Sequence, residues 1–192
     1  MLYLNQLEYP QIVYNHNMAH GGPPEGRTSV RTSGCGLCCA CMVVDHLAGK
    51  ELPIEDCVKL SEENGANLDL GTDMRVLAPI VAEKYDLAYA ESQDKDEMLA
   101  WLKAGGEAIA WTAGDHDSKI GLFSNRGHYI LLTAVVDDWV QIMDPSYKEG
   151  KFAVAGRVER VRVEIPFVYA MPDDVQEECR KDRPKYYMFK KK

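Results

Sequence analysis

Ser33-Gly34-Cys35-Gly36-Leu37-Cys38-Cys39-Ala40-Cys41-Met42-Val43-Val44 sets the architecture of the whole chain. From Leu37 to Val44 the run is apolar without a break, so a helix here is apolar all round and belongs in a core. Ser33 is a good N-cap, and with that cap the helix carries Cys35 in its first turn. A thiol so placed faces unpaired backbone N–H groups and the positive end of the helix dipole, and both favour the thiolate. Glycines on either side leave room for a substrate to approach the sulfur. The stretch reads as a mounted cysteine nucleophile. Such a nucleophile needs a base, a group to orient the base, and oxyanion donors.

The base is His128, in Asn125-Arg126-Gly127-His128-Tyr129-Ile130. It opens an apolar strand, and the glycine before it leaves its approach free. Alone, a histidine at a strand start reads as a satisfied structural side chain; Cys35 changes that reading. Asp144, in Met143-Asp144-Pro145, ends the next strand. A hairpin turning at Asp137-Asp138 brings His128 and Asp144 to the same end, where a carboxylate holds the imidazole in one tautomer. Capping of the Pro145-Ser146 turn is the plainer job for Asp144, and the two roles are compatible. One oxyanion donor is the Cys35 backbone N–H; Gln6, at the end of a short first strand, is the candidate for the second.

The rest of the chain frames these residues. It has 192 residues, enough for one good core and short for two. A formal charge of −8 argues against a general nucleic-acid binder. No stretch has the length of a membrane span, and MLYLNQLEYPQ lacks the regions of a signal peptide, so the chain reads as cytoplasmic. Cys35, Cys38, Cys39 and Cys41 fall on one proposed helix, a poor disulfide framework, while Cys57 and Cys179 stand apart. Buried small thiols are the reading for Cys38, Cys39 and Cys41, against a metal site that has no second ligand pair to complete it. No metal or organic cofactor is called for.

Residues 16–34, with His16 and His20, read as a loop. Gly49 stops the cysteine helix, and Pro53 opens a second one carrying Ile54, Cys57, Val58 and Leu60. GANLDLGTDM reads as a loop, with Thr72 or Asp73 capping a third helix that Pro79 should kink or restart. A strand near Leu87–Ala90 and a helix from about Asp94 to Ala104 follow. Strands are then expected at EAIAWTA, HYILLTAVV, WVQIMD, RVRVEI and KYYMFK, with a short helix at Pro172–Arg180. Helices first and antiparallel strands later argue α+β in one domain, 1–192.

Taken together, Asn5-Gln6 and Tyr9-Pro10, Ser33-Gly34-Cys35-Gly36, Gly71-Thr72, Gly127-His128-Tyr129-Ile130-Leu131-Leu132-Thr133 and Asp144-Pro145 resemble the C39-like branch of the papain-like cysteine peptidases. The resemblance covers roughly residues 3–147 and implies a papain-like fold, the Cys on a central helix and the His and Asp on the sheet. It carries the nucleophile to Cys35, the base to His128, the orienting carboxylate to Asp144 and the oxyanion donor to Gln6. Leu37-Cys38 departs from the Pro-Thr or Pro-Ala that commonly follows, and 148–192 diverges, adding to the sheet. The expected function is hydrolysis of an amide, a peptide bond first, in a peptide or protein substrate. A catalytically silent member that binds a peptide or protein in the same groove is the alternative.

Overall fold

The computed structural model describes residues 1–14, 28–68, 71–116 and 118–192. His16 and His20 lie outside them. The architecture is α+β, as expected: helices precede a seven-stranded antiparallel sheet that packs on the cysteine helix.

α1 (Val30–Ser33) leads directly into α2 (Cys35–Val43). Ser33 is therefore the last residue of α1 and not a cap; Ser29 caps α1 with a Thr32 capping box, and Gly34 joins the two helices. A Cβ at Gly34 would stand 2.5 Å from the Val30 side chain and 2.7 Å from its carbonyl oxygen, so only glycine fits this junction. Every residue of α2 after Cys35 is buried, as its all-round apolarity requires. A π-helical turn, Val44–Ala48, continues it to Gly49, whose φ of 61° closes the end in the left-handed region.

Pro53 precedes α3 (Ile54–Glu63), and Asp73 caps α4 (Met74–Lys84) by accepting from the Arg75 N–H. Two corrections belong here. The loop between these helices carries a small antiparallel pair, β1 (Asn67–Leu68) and β2 (Gly71–Thr72). And α4 runs through Pro79 without a restart. Met74, Leu77, Ala78, Val81 and Ala82 are buried along it, and that packing holds the helix across the one missing hydrogen bond. The expected first strand is also absent: residues 1–5 are irregular, and Gln6–Glu8 form a 3₁₀ turn capped by Asn5.

The remaining strands are β3 (Leu87–Ser92), β4 (Glu107–Thr112), β5 (His128–Val136), β6 (Trp139–Met143), β7 (Val161–Glu164), β8 (Phe167–Ala170) and β9 (Tyr186–Lys191), in the order β3-β9-β4-β5-β6-β8-β7. α5 (Lys95–Lys103), capped by Asp94, and α6 (Pro172–Glu178) complete the set. β8 was not expected from the sequence. The last strand lies inside the sheet, between β3 and β4. Strand residues alternate between two cores. Ile109, Tyr129, Leu131, Tyr187 and Phe189 pack with α2, α3 and α4, while Ala108, Ala110, Ile130, Leu132 and Met188 pack with α5 and α6. The sheet is thus covered on both faces, and α2 lies against the beginning of β5, where a Cβ on Gly36 would be 3.2 Å from Tyr129 Cδ2.

Candidate active site

The β5–β6 hairpin turns at Asp137 and Asp138, whose φ angles of 48° and 66° are those of the two-residue turn that suits strand twist. From there the register is Val136↔Trp139, Val135↔Val140 and Ala134↔Gln141, then a bulge at Thr133 shifts it to Leu132↔Ile142 and Leu131↔Met143. The consequence is a matter of parity. Met143 shares the face of Leu131, so Asp144, one residue on, takes the other face, that of Ile130 and His128. Without the bulge Asp144 would take the face opposite His128. Thr133 Oγ1 settles the bulge by donating to the Gln141 side-chain oxygen at 2.9 Å.

His128 Nε2 donates to Asp144 Oδ1 at 2.8 Å. Both side chains are buried, and Nδ1 is the ring atom left to face Cys35, whose thiol and the imidazole shift each other's pKa. Cys35 itself is half-buried. Burial alone would raise its thiol, but the His128 hydrogen bond and charge, with backbone hydrogen bonds at Tyr129 and Gly36, bring it below its ordinary value. For His128, burial works against the cation, and the bonds to Asp144 and Cys35 outweigh it, so its pKa is raised. The directions match a thiolate–imidazolium pair. Cys38, Cys39 and Cys41 make the contrast on the same helix. All three are free and fully buried; desolvation pushes Cys38 and Cys39 well above the ordinary thiol, while a Cys57 hydrogen bond and then burial do the same for Cys41.

Of two further partners of Asp144, the sequence reading anticipated the Ser146 turn that it caps and missed Lys151. Lys151 Nζ donates to Asp144 Oδ2, and also to Ser146 Oγ at 2.7 Å. Ser146 donates its N–H to Asp144 Oδ1 at 2.9 Å, and its hydroxyl lies 3.1 Å from His128 Nε2. Burial raises the Asp144 pKa, but Lys151 and His128 overcome it and hold the carboxyl well below the usual range. Nothing local in Lys148-Glu149-Gly150-Lys151 distinguishes Lys151 from Lys148. Lys151 is nevertheless buried, and its partner is a carboxylate seven residues back.

Gln6 is brought to this end of the sheet by a strap of hydrogen bonds. The Gln6 N–H donates to the Pro145 carbonyl at 2.7 Å, Tyr3 OH to the Asp144 carbonyl at 2.6 Å, and Asn5 Nδ2 to the Tyr147 carbonyl at 2.7 Å. Its buried side chain donates Nε2 to the Arg31 carbonyl at 2.8 Å, which leaves that amide a second hydrogen. Among the described residues no three His, Cys, Asp or Glu side chains converge as a metal site would, and no helix is long and apolar enough to cross a membrane.

No family model matches the sequence, and no curated protein matches it. Among solved structures, a similar chain is a Bacillus anthracis protein provisionally described as a C39-like peptidase. The two are 14% identical with a TM-score of 0.43, over 84% of this chain and 95% of that one. Any functional reading has to come from the geometry of the site.

Proposed function

We propose that the protein is a cysteine hydrolase of C39-like type that cleaves an amide, in the first place a peptide bond. The observation that carries this reading is the buried hydrogen-bonded pair of His128 and Asp144 set against Cys35 at the start of α2. Cys35 thiolate attacks the carbonyl carbon, and the oxyanion accepts from the Cys35 N–H and from Gln6 Nε2. His128 protonates the leaving amine, then takes a proton from the water that releases the acyl group. Asp144 keeps the ring in one tautomer and steadies its cation, while Lys151 and Ser146 hold the carboxylate in place. Six free cysteines suit a reducing compartment, which supports a cytoplasmic site of action.

The test is the iodoacetamide alkylation rate of each cysteine against pH, read by peptide mapping in wild type and His128→Ala. Cys35 alone should react fast below neutrality, and should lose that on removal of His128, by about 10²-fold at pH 6, since burial then keeps the thiol protonated. A Cys35 that reacts like its neighbours would overturn the hydrolase reading and leave a peptide-binding module.

A further inference from the structure

Beside His128, on the face of the sheet that packs on α2, lie donors that have nothing to donate to. Trp111 Nε1, Arg183 Nε and the Tyr187 hydroxyl are all buried and without a hydrogen-bond partner among the described residues. They are neighbours. Arg183 lies over the Trp111 ring at 5.2 Å, and Tyr129 links Trp111 (4.3 Å between centroids) to Tyr187 (6.3 Å). The strand register agrees: Tyr187 pairs with Ile109, so it shares a sheet face with Trp111 two residues along.

The cluster also abuts the catalytic residues. A Cβ on Gly127, the residue before His128, would stand 2.9 Å from Trp111 Cη2, and Tyr129 packs against Gly36, the residue after Cys35. Nearby acids are already committed. Asp73 is paired with Arg75 at 2.6 Å, Glu91 accepts from Tyr89 OH at 2.6 Å, and Asp182 is held by Arg180 at 3.0 Å, reaching Arg183 only at 3.8 Å. Arg180 stands over the same indole at 5.7 Å, adding positive charge to a protein whose net charge is −8. Buried donors left unpaired are costly, and an anionic oxygen is the acceptor that relieves such a cost most.

We propose that Trp111, Arg183 and Tyr187 form a carboxylate-binding subsite next to Cys35, so that the preferred substrate carries an acidic group close to the bond attacked. The group is an Asp or Glu side chain or a peptide's own terminal carboxylate. The inference rests on the hydrolase reading, and its test separates the two.

Three iodoacetyl dipeptides serve as probes: iodoacetyl-Gly-Gln amide, iodoacetyl-Gly-Glu amide and iodoacetyl-Gly-Gln with a free carboxyl end. In each, the Cys35 thiolate forms a bond to the methylene carbon and iodide leaves, so only the distant carboxylate differs. In wild type at low salt one or both carboxylate reagents should alkylate Cys35 about tenfold faster than the amide. Whichever is faster identifies the source of the carboxylate. The advantage should vanish in Arg183→Gln, shrink in Trp111→Phe, and fall with added salt, while the neutral reagent keeps its rate. Equal rates for all three reagents in wild type, or an advantage that survives in Arg183→Gln, would overturn the subsite. If Arg183→Gln does not fold, the wild-type salt series decides: an advantage undiminished at high salt overturns the proposal. Loss of the His128-dependent reaction with the neutral reagent is a different failure, that of the hydrolase reading itself.

Discussion

Among the described residues, two histidine–carboxylate pairs are buried with the same 2.8 Å separation, His46–Glu107 and His128–Asp144. Their chemistry diverges because of what else each group touches. Asp144 has both oxygens engaged, by His128 and Ser146 on one and by Lys151 on the other. Glu107 Oε2 has no partner among the described residues, so burial dominates and its pKa is raised despite His46, whereas that of Asp144 is lowered. The second ring nitrogen differs too. His46 spends Nε2 on the Leu2 carbonyl at 2.7 Å, while Asp45 accepts from the Leu2 N–H at 2.8 Å. The first pair is a clamp on the segment that carries Gln6; the second leaves a ring nitrogen for a thiol. A buried His–carboxylate pair is therefore not a catalytic signature by itself. The third partner decides.

The largest expected divergence is in thiol reactivity. At pH 6, His128→Ala should slow Cys35 alkylation by about 10²-fold, and His46→Gln should leave it within about twofold, since the clamp does not touch the sulfur. A comparable loss in both would mean that the clamp sets the geometry of the nucleophile.

Stability should sharpen the contrast next. Asp144→Asn leaves the buried Lys151 ammonium without its counter-charge and should cost about 3–5 kcal/mol in urea unfolding at pH 7. It should also cut amide turnover by orders of magnitude. Glu107→Gln keeps shape and a hydrogen-bonding group and should cost about 1 kcal/mol or less. The reverse order would show that the Lys151 contact contributes little.

The smallest effect is the opposite pH response of the two carboxyls. Asp144 has a depressed folded pKa, so its contribution is present above the ordinary carboxylate value and is lost as pH falls through the folded one. Glu107 has a raised folded pKa, so its contribution is present below the ordinary value and is lost as pH rises through the folded one. Urea midpoints measured from pH 3 to 7 should show Asp144→Asn flattening the acid decline. Glu107→Gln should flatten the decline above the ordinary glutamate value. In both, each tenfold difference in proton affinity between the folded and unfolded chain is worth about 1.4 kcal/mol. Both variants changing the same limb would rule out the assignment of opposite directions.

Where signals were local, the sequence could be read directly. The all-round apolarity of Leu37–Val44 requires a buried helix, Asp94 and Asp73 announce helix starts, and two consecutive aspartates between apolar strands mark a tight turn. The order of Cys35, His128 and Asp144 along the chain, each in its local context, was legible for the same reason. Three features were not. Ser33 looks like a cap because serine usually is one, but the extra turn of α1 moves the junction to Gly34. β8 and the interior place of β9 depend on which strand edges were left open, a property of the whole sheet. Lys151 carries no sequence mark at all.

Residue types, and the elements that carry them, follow from the order of amino acids alone: a thiol at the head of an apolar helix, a histidine opening a strand, an aspartate closing the next. That these residues meet is a product of tertiary packing. A one-residue bulge at Thr133 puts Asp144 on the face of His128, and burial of Lys151 makes a distant charge the partner of that aspartate. The reason is physical: propensity and capping act over a few residues, whereas strand register, burial and ion pairing are settled by chain segments far apart in sequence.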